Sequence, residues 1–445
     1  MDRREDLVRR SGQMSRSIAI IGGGYAGMAC AVELARAGHA VTVFERSLVL
    51  GGRARLVRRD DWQVDNGQHV LIGAYTELTR LLRLTGVSPK VLERIPLTLH
   101  IPGKLHLRAT RLPAPLHLAV GLLRSQGLDW QDRKAMLRLM RDLKKCGFRV
   151  EPGTTVRSLL HQSGQTARLA NLVWNPLCVA ALNTPPAEAS AQVFADVLRD
   201  SLCADANASE ILIPRVDLTE LFPVQAARYL AVRRCRINTG NGIEGITASP
   251  AGFGLAGDPV ADRRYDQVVI ATAPYHAASL LDSIGGCERL ARQIDALPYE
   301  PITTVYFALG AGVRLPHPMI GLADGPAQWA FDRGQLGSQA GLVALVISAH
   351  GPHEALSRDD LEITVHRQLE NALQRRLPSP EWAMTITEKR ATIACTPGLA
   401  RPGARTPVNG LWLAGDYVDS PYPATLESAV RSGVAVANEI GRAGG

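Results

Sequence analysis

Apolar and polar positions alternate with different periods along this chain, and the order of those periods is informative. Ile18 to Ile21 is an unbroken apolar run of strand length. Met28 to Ala37 follows as a helical stretch, and Ala40 to Phe44 is a second short apolar run closed by Glu45. Unbroken apolar runs suit parallel strands covered on both faces, so the opening predicts a βαβ unit. Leu116 to Leu123 is a short, strongly apolar stretch. Beyond it Met136, Leu139, Met140 and Leu143 recur at i, i+3, i+4 and i+7, the stripe of an amphipathic helix, with Arg138, Arg141 and Lys145 off the stripe. From about Thr219 to Pro274 the pattern reads as a helix and several short strands, with Asn241-Gly242 as a turn between two of them and an apolar run inside Asp266–Pro274. Near the end, Gly410 to Asp416 reads as a strand running into a turn, and Thr425 to Gly433 opens a helix. No internal repeat or low-complexity tract interrupts this order.

The first βαβ unit carries chemistry. Gly22, Gly24 and Gly27 stand at G-x-G-x-x-G spacing between the strand and the helix, and Glu45 ends the next strand. Each part serves a dinucleotide. Gly22 makes the tight turn, Gly24 lets the backbone approach a pyrophosphate, and Gly27 lets helix pack on strand. The helix N-terminus offers unpaired N–H groups to the phosphates, and Glu45 accepts from ribose hydroxyls. The motif alone leaves NAD and FAD open.

Composition narrows the class. The 445 residues are 46% hydrophobic and 21% charged, which excludes a disordered chain and predicts two or so domains with sizeable cores. Seven scattered cysteines form no C-x-x-C pair, which predicts free thiols in a reducing compartment and no structural zinc. His317, His350 and His353 form no H-E-x-x-H motif and read as loop or surface residues, so no metal is expected. No G-x-S-x-G elbow is present. No apolar run reaches membrane-spanning length, and the polar segment Met1 to Arg16 is no secretory signal. Charge is uneven. Between Lys104 and Arg149 stand eleven Lys or Arg against Asp129, Asp132 and Asp142, a balance of +8 that equals the net charge of the whole chain. Basic residues beside apolar surface suit an anionic membrane face; a core-facing stripe with a solvated basic back is the alternative. Without interleaved aromatics or a known module, nucleic acid is not an expected partner.

Two further segments select the cofactor. Glu45 is followed by Gly51-Gly52-Arg53 at E-x5-G-G-R spacing, and the distant Ala414-Gly415-Asp416 precedes the helix start at Thr425 and Leu426. This arrangement resembles the two-dinucleotide-binding-domain flavoproteins, which include amine oxidases, carotenoid desaturases and protoporphyrinogen oxidases. The resemblance implies FAD. It implies that Gly52 and Arg53 approach the phosphates and that Gly415 and Asp416 hold the ribityl or pyrophosphate region. The N–H groups at Thr425 and Leu426 would face the flavin, and Ile243 would meet adenine through its backbone. Within that superfamily, Asp65-Asn-Gly-Gln-His69, Trp174 to Pro185, Ile213 to Phe222 and Lys389-Arg-Ala-Thr392 resemble the squalene-associated FAD-dependent desaturases, described as hydroxysqualene dehydroxylases, over roughly residues 17–440. Gly23 and Tyr417 depart from that family's usual alanine and tryptophan.

The implied fold is α/β. A discontinuous Rossmann-type FAD-binding domain (16–95, 215–285 and 396–445) carries a second, substrate domain (96–214 and 286–395), as in amine oxidases and phytoene desaturases, after a disordered lead (1–15). The implied reaction is a reduction: protonation of the allylic hydroxyl of hydroxysqualene, loss of water, and hydride transfer from reduced FAD to give squalene. Asp65, His69 and Tyr417 are the expected proton donors, and Cys395, on the approach to the flavin region, is expected to be a buried inert thiol. The electron donor stays unassigned. The expected location is cytoplasmic, peripheral at the inner face of the cell membrane. Two other readings remain open: an oxidising carotenoid desaturase or amine oxidase of the same fold, and a non-catalytic prenyl-protein carrier.

Overall fold

In the computed structural model, which describes residues 15–337 and 339–442, the N-terminal apolar runs form the centre of a five-stranded parallel sheet. Its order is Arg236–Thr239, Ala40–Glu45, Ser17–Ile21, Gln267–Ile270, Leu411–Leu413. Strands drawn from near both ends of the chain therefore lie side by side, with Ile18 opposite Val41 on one flank and Gln267 on the other. The Tyr25–Arg36 helix follows the first strand and is almost wholly buried. The C-terminal helix, Leu426–Arg442, packs directly on it. The expected lead, 1–15, lies outside the described residues except for Ser15.

A second five-stranded sheet, antiparallel throughout, has the order Met319–Gly321, Trp329–Asp332, Leu342–Ser348, Tyr299–Ala308, Trp382–Ile393. A three-stranded sheet of Leu71–Ile72, Ile211–Pro214 and Leu92–Ile95 and a hairpin of Thr98–Ile101 with Leu105–Arg108 accompany it. Helices Leu116–Leu123, Trp130–Lys145, Val156–Gln162, Asn175–Leu182 and Ala191–Leu198 pack around these strands. Two π-type turns, Ala170–Trp174 and Arg199–Cys203, adjoin the last two helices.

The periodic stripe of the Trp130–Lys145 helix faces the core. Leu139 and Leu143 are buried while Arg138, Arg141 and Lys145 are exposed, so the apolar stripe of this helix packs inward and its basic residues face out. Asn241-Gly242 lies between two strands as expected, but those strands do not pair with each other: the one before it (Arg236–Thr239) pairs in parallel with Ala40–Glu45, and the one after it (Gly245–Ser249) pairs with Gly252–Ala256. The turn carries the chain from one sheet to another. Tertiary pairing, which the dipeptide does not encode, decides this.

Candidate active site

A cavity of about 970 Å³ joins the turn after the first strand to an apolar chamber under the antiparallel sheet. Gly22, Gly24, Glu45, Gly52, Arg53, Ile243, Gly415, Asp416, Thr425 and Leu426 all line it; Gly27 lies beneath. A Cβ at Gly24 would meet only the Gly51 carbonyl oxygen and Gly52 Cα, at an ordinary contact distance of 3.9 Å, so the protein itself leaves room there. At Gly27 a Cβ would sit 2.0 Å from the Gly22 carbonyl oxygen, so this glycine serves helix packing. An open backbone cradle at a helix N-terminus, beside a carboxylate, fits a dinucleotide phosphate. Glu45 is already positioned: Oε2 accepts from the Gly23 N–H at 2.7 Å and Oε1 from the Ser47 N–H at 2.8 Å. The Gly51-Gly52 turn is drawn against the cradle by the Gly51 N–H to Gly23 carbonyl bond, 3.0 Å.

Arg53 and Asp416 meet each other. The guanidinium Nη2 lies 2.5 Å from Asp416 Oδ1, and Nη1 donates to the Ala391 carbonyl at 2.6 Å. Asp416 is further fixed by Arg401, which donates to the Asp416 backbone carbonyl and, at 2.7 Å, to that of Tyr422. Burial opposes the Arg53 charge, yet Asp416 keeps it above the ordinary arginine range. At the C-terminal helix the Thr425 N–H is taken by Ser428 Oγ at 2.8 Å. It is therefore not the free donor expected of it, whereas the N–H of Leu426, at the first helical position, has no acceptor within its helix. The buried Glu427 looks the other way. Its carboxylate caps the Thr76–Leu84 helix by accepting from the N–H groups of Glu77 (3.0 Å) and Leu78 (2.9 Å).

The three expected proton donors separate. His69 lines the cavity, and its Nδ1 lies 2.6 Å from the Gly67 carbonyl. A carbonyl only accepts, so Nδ1 carries the hydrogen and Nε2 is the atom that exchanges a proton. Burial chiefly, then Arg53, pushes this imidazole below the usual histidine range, against the opposing pull of the Gly67 bond. Asp65, four residues earlier, does not line the cavity. Its Oδ1 accepts from the Leu218 N–H at 2.8 Å, and its backbone carbonyl accepts from Tyr306 Oη at 2.9 Å. Burial raises its carboxyl to about 7, with Arg333 and the Leu218 N–H pulling down and Asp217 adding to the rise. Tyr417 is fully buried, packs its ring on Gly415 and is also absent from the cavity wall; burial raises its phenol. Cys395 is buried outside the cavity, and burial lifts its thiol to about 12.

The segments singled out beyond the glycine motifs hold this site in place. Asn183 ends the Asn175–Leu182 helix in a left-handed conformation (φ 46°). Its Nδ2 donates to Thr392 Oγ1 (2.9 Å) and its Oδ1 accepts from the Ala349 N–H (2.8 Å). The preceding turn of that helix places Leu177, Ala180 and Ala181 on the cavity wall. Thr219 accepts from the Leu56 N–H at 2.9 Å and donates to the Leu50 carbonyl at 3.1 Å, clamping both ends of the Gly51-Gly52-Arg53 loop. Arg401, Thr219 and Glu427 carry no local sequence signal, because each acts on a partner distant in sequence.

The profile of the flavin containing amine oxidoreductase family matches residues 25–441. The chain is 29% identical over 434 residues to the hydroxysqualene dehydroxylase of Zymomonas mobilis, covering 94% of this chain and 97% of that one. It is 28% identical over 449 residues to the enzyme of the same name from Rhodopseudomonas palustris, covering 97% and 100%. Among solved structures, an oxidoreductase from Methanosarcina mazei superposes with a TM-score of 0.76 at 16% identity, over 95% of this chain and 99% of that one.

Proposed function

This chain belongs to the flavin containing amine oxidoreductase family, and from that premise we propose that it reduces hydroxysqualene to squalene. It is an FAD-dependent oxidoreductase. The observation that carries the substrate reading is the continuity of one cavity. Its cradle end is glycine and charge, and its far end is walled by Leu99, Leu177, Phe194, Ile302, Trp329 and Phe331. That division suits a long hydrocarbon laid against a cofactor, and the two full-length relatives carry the name of this reaction.

FAD, when bound, supplies the hydride in its reduced form. The chain supplies the rest. Gly24 and the N-terminus of the Tyr25–Arg36 helix would hold the pyrophosphate, Glu45 the ribose and the Ile243 backbone the adenine. The Arg53–Asp416 pair and the Leu426 N–H would bracket the flavin end. Asn66, Gly67, Gln68 and His69 form the polar strip of the wall where the hydroxyl would sit. The doubly protonated form of His69 gives its Nε2 proton to the hydroxyl, which leaves as water, and the apolar wall keeps bulk water from the allylic cation that results. Asp65 acts through Leu218 as a positioning residue.

The substrate arrives from lipid in this reading. Leu112, Leu116, Leu123 and Trp130 are 41%, 55%, 49% and 60% exposed, among the exposed Arg108, Arg111 and Arg124. No helix among the described residues is long and apolar enough to cross a membrane, so this face would dock peripherally, at the inner face of the cell membrane.

The test is anaerobic. Enzyme whose flavin has been reduced is mixed with hydroxysqualene. Return of the oxidised flavin colour with one squalene formed per flavin is the expected result. A flavin that stays reduced, or an oxidised enzyme that bleaches on adding squalene or an amine, overturns the proposal in favour of an oxidising enzyme. A protein that takes up no flavin favours a carrier.

A further inference from the structure

We propose that His100, His106 and His317 form a binding site for a first-row divalent transition metal of the zinc type, outside the flavin cavity. The Thr98–Ile101 and Leu105–Arg108 strands pair with His100 directly opposite His106. Strand alternation sends Leu99, Ile101, Leu105 and Leu107 into the core, leaving the two imidazoles side by side on the other face. Their Nδ1 atoms are 3.1 Å apart. His317 joins them from the loop before the Met319–Gly321 strand, which packs on this hairpin. Its ring centroid is 4.6 Å from that of His100, at an interplanar angle of 81°, and 6.1 Å from that of His106, at 23°. One ring nitrogen from each residue lies within 4.8 Å of the other two.

A hydrogen bond between His100 and His106 accounts for the first pair, but not for a third imidazole converging on it. Neutral imidazole is the ligating form. Two nitrogens bound at about 2.1 Å in tetrahedral geometry stand roughly 3.4 Å apart, so the His100–His106 pair at 3.1 Å needs little adjustment, and His317, within 4.8 Å, closes the set by a side-chain shift of about an ångström. Three nitrogens and no carboxylate select zinc, nickel, cobalt or copper over magnesium or calcium. Lys104 is paired with Asp324, whereas Arg108 stands near His317 and weakens the site.

The consequence is mechanical. Leu99, next to His100, and Met319, two residues beyond His317, both line the flavin cavity. An ion shared by the three histidines would clamp the hairpin to the sheet behind that apolar wall, with a fourth position left for water. It takes no part in electron transfer, and the site does not depend on which substrate the cavity takes.

The experiment uses the flavin-loaded full chain, stripped with a chelator and desalted. Zinc is titrated against a chromophoric chelator, and cobalt(II) serves as the spectroscopic probe. The expected results are one tight equivalent of zinc, a tetrahedral cobalt spectrum, and a melting temperature that climbs with zinc concentration. His317→Gln should weaken zinc binding roughly tenfold or more and abolish the thermal shift, with flavin content and metal-free turnover unchanged. If that variant loses flavin through misfolding, His106→Asn reads the same site from the hairpin. Wild-type protein that takes up no zinc at micromolar concentration, or variants that bind it as tightly as wild type, overturns the proposal.

Discussion

At the scale of the residue, Asp65 and His69 show how four positions separate two roles. His69 faces the cavity as a neutral imidazole whose acid form exists only below a pKa that burial holds under the ordinary value of about 6.5. If it is the proton donor, the rate at which hydroxysqualene reoxidises the reduced flavin rises as pH falls through that region. His69→Gln then lowers the rate by about 10²–10⁴-fold and flattens the pH profile, with FAD content unchanged. A variant with wild-type rates removes His69 from the chemistry. Asp65 makes the opposite prediction. Its folded pKa of about 7 stands above the unfolded value of about 3.9, so the native state holds a proton that the unfolded chain releases. The associated stability is fully present below about pH 3.9 and is lost as pH rises through about 7, at about 1.4 kcal/mol for each tenfold difference in proton affinity between the two states. Asp65→Asn keeps an oxygen for the Leu218 N–H and stays neutral throughout. Relative to wild type it should gain stability as pH rises from about 4 to about 7 and level off above that in denaturant titrations, while turnover stays within a few-fold. An offset between variant and wild type that does not change with pH refutes this account.

Among the elements, the βαβ unit was legible because everything that defines it is local. The apolar run, the three glycines and Glu45 lie within thirty or so positions, and the period of the side chains reports the period of the backbone. The Arg53–Asp416 pair was not legible as a pair, although Arg53 was expected at the cofactor's phosphates and Asp416 at its ribityl or pyrophosphate region, since no pattern joins groups so far apart in the chain. The three-histidine cluster was missed for the same reason. His100 and His106 become neighbours only through hairpin register, and His317 only through packing of one strand on another. The Trp174–Pro185 segment stands between these cases: its distinctiveness was visible, but its work was not. The structure shows that Asn183 stops a helix that lines the cavity and ties it to the antiparallel sheet. Asn183→Ala puts a side chain that cannot hydrogen-bond at φ 46° and removes the bonds to Thr392 Oγ1 and from the Ala349 N–H, which keeps the Pro301 carbonyl as its other acceptor. The expected loss is about 2–5 kcal/mol, made of roughly 1–2 for the backbone and roughly 0.5–1.5 for each of the two hydrogen bonds removed. Asn183→Gly should recover only the backbone part. Equal denaturation midpoints for the Ala and Gly variants would show that the hydrogen bonds alone matter.

For the whole molecule, the distribution of charge and the course of the cavity lead to the same face. The segment Lys104–Arg149 carries eleven basic residues against three acidic ones, and Leu112, Leu116, Leu123 and Trp130 stand exposed within it. The hairpin immediately before it contributes Leu99 to the cavity, and the Ala109 N–H is bonded to the carbonyl of Leu97, another lining residue. A chain segment thus runs from the apolar wall to the exposed apolar surface, which suits a water-insoluble substrate taken from a bilayer. Each basic residue near an anionic surface adds about 1 kcal/mol at low salt, and this part is screened over about 8–10 Å near physiological ionic strength. Each leucine that enters the interface adds about 1.5–3 kcal/mol and is indifferent to salt. Flotation with phosphatidylglycerol-containing vesicles should therefore recover the protein, with a component that salt removes and a component that it does not. Leu116→Asp should cut the salt-resistant part at least tenfold, about 1.4 kcal/mol, and leave flavin content intact. Arg124→Glu should cut only the salt-sensitive part. Equal recovery of both variants and wild type on neutral and anionic vesicles would mean that this face is solvated in the working enzyme and that substrate reaches the cavity by another route.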